Sequence, residues 1–100
     1  FSLAKVCLEL GLIDKAEVLF KNVMYEMPDL AKVYFELGRL SSAKGNSAET
    51  SYYLGKYYLY QGQLEQAKKN LKVAVENTSL SDDLMKDAKE SIEVVERLEK

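Results

Sequence analysis

Residues 45–62, GNSAETSYYLGKYYLYQG, decide the fold. If residues 48–60 are helical, Tyr52, Tyr53, Leu54, Tyr57, Tyr58, Leu59 and Tyr60 project in nearly every direction. A helix that is apolar all round is one held between neighbours. Ala48, Ser51 and Gly55 form a strip of small residues along it, which lets another backbone come close while the tyrosines fill the flanking space. Gly45 and Gly62 flank the segment, and glycine is the residue suited to the left-handed turn that ends a helix. The segment therefore predicts a helix near the centre of a helical stack, with Ser47 as its cap.

Helical periodicity extends outward from there. Upstream, residues 30–44 carry Val33, Tyr34, Leu37 and Leu40 on a buried side, with Asp29 as the expected cap. Before them, Ala16, Phe20, Val23, Met24 and Met27 recur at helical spacing from Ile13 until Pro28, which cannot continue the hydrogen-bond ladder. Residues 1–10 place Leu3, Val6, Cys7 and Leu10 on one face, and Gly11 ends that run. Downstream, Leu64, Ala67, Leu71, Ala74 and Val75 form a stripe opposite Lys68, Lys69 and Lys72. A polar turn leads to Ser81, whose hydroxyl and the following Asp82 and Asp83 suit a helix start. The last helix buries Met85, Ala88, Ile92, Val95 and Leu98 and keeps its other side wet, as the cap of a stack does. The expectation is a single all-α domain over residues 1–100, a right-handed α-solenoid of about six antiparallel helices with a C-terminal capping helix.

Composition narrows the function classes. Apolar residues make up 47 % and charged residues 30 % of the 100 residues, the balance of a folded helical protein. A net charge of −2 gives no electrostatic reason to approach nucleic acid, and no apolar run is long enough to cross a bilayer. Neither nucleic-acid binding nor direct membrane insertion is expected. There is no histidine, and Cys7 is the one cysteine, so the usual general base and the usual metal ligands are missing. No catalytic constellation, metal or cofactor is expected, and Cys7 reads as a small buried filler. Asn77-Thr78-Ser79 matches a glycosylation sequon, a short pattern that carries little weight alone. The chain starts at Phe1 within a periodic apolar segment, which reads as a piece cut from a longer protein.

Gly11 and Gly45 stand 34 residues apart, Gly45 and Gly62 half that, 17, and three overlapping motifs can be laid on the chain. The first is Leu3-Ala4, Cys7, Gly11, Ala16, Phe20, Val23 and Pro28. The second is Tyr34, Leu37-Gly38, with Ser41 in place of a tyrosine, then Thr50 and Leu54. The third is Leu54-Gly55, Tyr58, Gly62, Ala67, Leu71 and Ala74, with Ser51 and Ser79 replacing an aromatic and a proline. This pattern resembles the tetratricopeptide repeat (TPR), about three hairpins of it. Leu37-Gly38-Arg39, Gly45-Asn46, the run from Glu49 through Tyr57, and Gln63-Leu64-Glu65-Gln66-Ala67 also resemble the C-terminal tail of BepA-like bacterial envelope zinc metallopeptidases. That resemblance implies an upstream HExxH zinc domain absent from these residues, a substrate-positioning or regulatory role for the tail, and a periplasmic or envelope location. Without it the location expected is cytoplasmic.

The repeat resemblance implies a protein-binding scaffold whose groove takes a partner segment or a sister domain. The groove positions it implies are Phe35, Arg39 and Ser42 around Leu37, Tyr52, Lys56 and Tyr60 around Leu54, and Phe1, Lys5 and Leu8 around Leu3. Lys5, Arg39 and Lys56 then form a basic line able to pair with acidic side chains or a peptide carboxylate. The plain alternative is that they are solvated helix charges. Of the tyrosines, Tyr53, Tyr57 and Tyr58 are expected between helices, while Tyr52 and Tyr60 reach the groove. A structural role is the other alternative, in which the apolar end near Phe1, Leu3 and Val6 joins further repeats or a second copy.

Overall fold

The computed structural model describes residues 11–99, the Ile13 side chain excepted. The described residues are all-α: α1 Ile13–Glu26, α2 Ala31–Ala43, α3 Ser47–Tyr60, α4 Leu64–Glu76 and α5 Asp82–Leu98. The helix expected over residues 1–10, with Lys5 and Cys7, lies outside them.

Two of the turns are fixed by the same backbone device. Gly45 and Gly62 have φ of 76° and 80°. At each, the glycine amide bonds back to the carbonyl three residues earlier and the next amide to the carbonyl five residues earlier: Gly45 to Ser42 and Asn46 to Ser41, then Gly62 to Leu59 and Gln63 to Tyr58. Both are Schellman motifs, which satisfy orphan carbonyls and reverse the chain. Neither Asp29 nor Ser47 caps a helix. Leu30 and Asn46 hold those positions, and Asn46 accepts from the Glu49 amide at 3.1 Å while donating to Glu49 Oε2 at 2.7 Å. Ser81 does cap α5, accepting from the Leu84 amide at 3.4 Å.

The core follows the apolar stripes. Ala16 and Phe20 of α1, Val33, Tyr34, Leu37 and Leu40 of α2, Leu71 and Ala74 of α4, and Ala88 of α5 are buried around Ala48, Tyr52 and Tyr53 of α3. Consecutive helices pack on one another, and α3 additionally packs on α5, so α3 has neighbours on three sides. That accounts for its all-round apolar surface. Its glycine permits the closest approach: a Cβ on Gly55 would stand 2.6 Å from Leu71 Cγ and 3.1 Å from the Leu71 amide nitrogen.

Helix starts recur with the glycine spacing. α1 begins at Ile13, α3 at Ser47, 34 residues on, and α5 at Asp82, another 35. α2 and α4 begin 33 residues apart, at Ala31 and Leu64. The described helices α1, α3 and α5 contribute to shared cavities on one side, and α3 and α5 touch directly. This register pairs α3 with α1 and α5, whereas the sequence motifs group the α2 and α3 segments together as groove-lining helices.

Candidate functional site

The side shared by α1, α3 and α5 carries two cavities, of about 340 and 380 Å³, that have Lys56, Tyr60 and Asp87 in common. The first is walled by Met24 and Tyr25 of α1, Tyr52 of α3, and Asp83 and Leu84 of α5, and is lined by Tyr34 and Pro28 as well. The second runs on between Leu59 of α3 and Glu90, Ser91, Val94 and Leu98 of α5. The two cavities adjoin at that shared wall and are called the cleft below.

Lys56 organises the shared wall. It is only 6 % exposed, yet its ammonium is fully provided for. Nζ donates to Ser91 Oγ at 3.0 Å, lies 3.1 Å from Asp87 Oδ2, and sits over the rings of Tyr60 and Tyr34 at 5.3 and 5.9 Å. The two rings stack on each other with centroids 5.3 Å apart. A desolvated ammonium gains from aromatic faces and an adjacent carboxylate, both of which replace lost water. The Tyr52 hydroxyl donates to the same Asp87 oxygen, and the Tyr34 hydroxyl donates to the Pro28 carbonyl at 2.6 Å. Burial pushes the phenols of Tyr34 and Tyr52 upward, Asp87 adding to the effect at both, so they stay protonated donors.

The sequence-derived groove residues divide between places. Tyr52, Lys56 and Tyr60 come together on the cleft wall, but Tyr52 and Lys56 are buried in it and Tyr60 is the one of the three with substantial exposure, 38 %. Phe35, Arg39 and Ser42 lie on α2 and line neither cavity. Phe35 packs on Tyr57 with centroids 5.2 Å apart, Arg39 pairs with Glu36 at 3.1 Å, and Ser42 borders a small hydroxyl-rich hollow with Ser47 and Thr50. Lys5 is outside the described residues. Arg39 and Lys56 of the expected basic line share neither cavity: Lys56 is buried beside Asp87, and Arg39, on α2, is exposed and paired with Glu36.

Tyr25, Leu84, Asp87, Glu90, Ser91 and Val94 line the cleft without a role in the sequence reading, which placed Met24 only in an apolar stripe and Asp83 only at a helix start. Asp83, Asp87 and Ser91 follow one another at four-residue spacing beside the α5 apolar stripe, a signal that was present but reads as part of a wet face. Among the described residues no group of three or more His, Cys, Asp or Glu is placed to hold a metal ion, and no helix is long and apolar enough to cross a membrane. The chain matches no family model, no curated protein and no solved structure.

Proposed function

We propose that this chain is a tetratricopeptide-type scaffold, a segment of right-handed solenoid that holds an extended partner segment or a sister domain in the cleft of α1, α3 and α5. The observation that carries the reading is that two adjacent cavities share the wall formed by Lys56, Tyr60 and Asp87. Their walls mix apolar area with a few fixed polar groups, the composition of a recognition surface. The 33- to 35-residue recurrence of helix starts supports the repeat identity. Tyr25, 76 % exposed at the rim, supplies rigid contact area with a polar tip, as binding hot spots do.

A photo-crosslinking phenylalanine analogue at Tyr25 or Tyr60, compared with one at Val73 on α4, tests this in cells that make the natural protein. Adducts to one defined partner segment are expected from the first two positions and not from Val73. Equal labelling from all three, or none from the cleft, would overturn it. Adducts within the same polypeptide would favour the sister-domain form, including the substrate-positioning tail of a zinc metallopeptidase. Adducts between two copies would favour self-association.

A further inference from the structure

We infer that the cleft takes a partner segment through a cationic side chain, arginine or lysine, seated between Asp83, Asp87 and Tyr25. This rests on the cleft reading above and names the chemistry of its occupant. Asp83, Asp87 and Glu90 line the two cavities against Lys56, and the neighbouring cavity that shares Met24, Tyr25, Asp83 and Leu84 adds Glu49 and Lys21, so carboxylates outnumber ammoniums on this side. The Lys56 ammonium is buried and already shared between Asp87 and Ser91, and Lys21 is paired with Glu17 at 3.8 Å, so both cations already have anionic or polar partners. Asp87 by contrast keeps its side chain 41 % exposed, and both Lys56 and Tyr52 bond to the same oxygen, Oδ2. Asp83 has no side-chain partner among the described residues at all.

Asp83 and Asp87 are four residues apart on α5 and line the same cavity; Lys56 offsets the charge of Asp87, whereas Asp83 has no such partner. An arriving guanidinium or ammonium supplies the missing counter-charge and gains charge-assisted hydrogen bonds. Tyr25, Met24 and Leu84 on the same cavity offer apolar area for its methylene stem. The wall already holds one cation in this way, since Lys56 rests on Tyr34 and Tyr60 beside Asp87.

The test uses three acetylated, amidated pentapeptides of the form Leu-Ala-Xaa-Ala-Leu, with arginine, citrulline or glutamate at the centre, titrated against the isotope-labelled chain by amide NMR. The arginine peptide is expected to shift amides of Tyr25, Tyr60, Asp83 and Asp87, and to bind about tenfold more tightly than its neutral citrulline isostere. Asp83→Asn, at a side chain without a partner, should remove most of that ratio and leave the fold intact. Equal binding of arginine and citrulline peptides at the cleft would overturn the cation inference while sparing the cleft itself. Tighter binding of the glutamate peptide would likewise overturn it. Shifts confined to other surfaces, or none with any peptide, would overturn both readings.

Discussion

Lys56 Nζ lies 3.1 Å from Asp87 Oδ2, which ties the one buried ammonium of α3 to a half-exposed carboxylate on α5. The two partners are unequally desolvated, so their removal is not equivalent. Asp87→Asn leaves a buried cation facing only Ser91, an amide and two rings, whereas Lys56→Met leaves a carboxylate that water and Tyr52 still serve. Breaking a buried pair is costly mainly through the charge left behind. Asp87→Asn is expected to cost about 2 kcal/mol and Lys56→Met less than about 1, read from urea unfolding midpoints. In the double variant the Asp87→Asn penalty should largely vanish. Equal costs for the two single changes would show that Lys56 is solvated and that the wall is not as drawn.

Three buried phenols give the fold an alkaline limit. Desolvation raises Tyr34, Tyr52 and Tyr53 well above the ordinary value of about 10. A group whose folded pKa is raised holds its proton in the native state after the unfolded chain has lost it. Stability is therefore complete below about pH 10 and declines above it, by up to about 1.4 kcal/mol per pH unit for each phenol. Urea midpoints should be flat from pH 7 to 9 and fall steeply beyond 10. Tyr53→Phe, which removes one titrating group, should make that fall shallower; an unchanged slope would place Tyr53 outside the core.

The helices were legible because each carries an apolar stripe at 3.6-residue spacing and most boundaries carry glycine, proline or a capping serine. The central place of the α3 segment was legible for the opposite reason, the lack of any polar face. What could not be read was which helices share a side. Motif positions treat the segments of α2 and α3 alike, and only the packing of α3 on α5 shows that alternate helices belong together. The groove residues inherited that ambiguity: Lys56 and Tyr60 fall on the cleft and Arg39 does not. Asp87 was invisible because a carboxylate on a charged helix looks solvated until its partner from α3 is seen. Caps failed at a finer scale, since Asn46 and Ser47 are both good capping residues and only the turn at Gly45 decides between them.

That last point gives a local measurement. Asn46 bonds the Glu49 amide and carboxylate, while Ser47 is already the first residue of α3 and exposed. Asn46→Ala should cost about 1 kcal/mol, and Ser47→Ala should change stability by less than about 0.5. Amide exchange at Glu49 and Thr50 should quicken in the first variant alone. The reverse ranking would move the helix start.

Gly38 and Gly55 are both buried glycines inside helices, and their surroundings demand opposite outcomes for alanine. A Cβ on Gly38 would meet Leu54 Cδ2 and Tyr53 Cβ at 3.6 Å, ordinary contact distances, so the substitution adds packing and removes the flexibility penalty of a helical glycine. Gly38→Ala should stabilise by about 1 kcal/mol. At Gly55 the same atom would stand 2.6 and 2.7 Å from the Leu71 side chain and 3.1 Å from its backbone nitrogen. Leu71 could change rotamer to clear its own methyl groups, but it is fully buried and the backbone contact remains, so α3 and α4 must move apart. Overpacking of this kind costs about 1–3 kcal/mol, enough to outweigh the gain in helix propensity. Because α3 also forms the cleft wall, the displacement should weaken occupancy of the cleft as well as lower the unfolding midpoint, whereas Gly38→Ala should raise the midpoint and leave occupancy unchanged. If alanine stabilised both positions, the close approach of α3 to α4, and with it the wall that presents Lys56 and Tyr60, would not exist in solution.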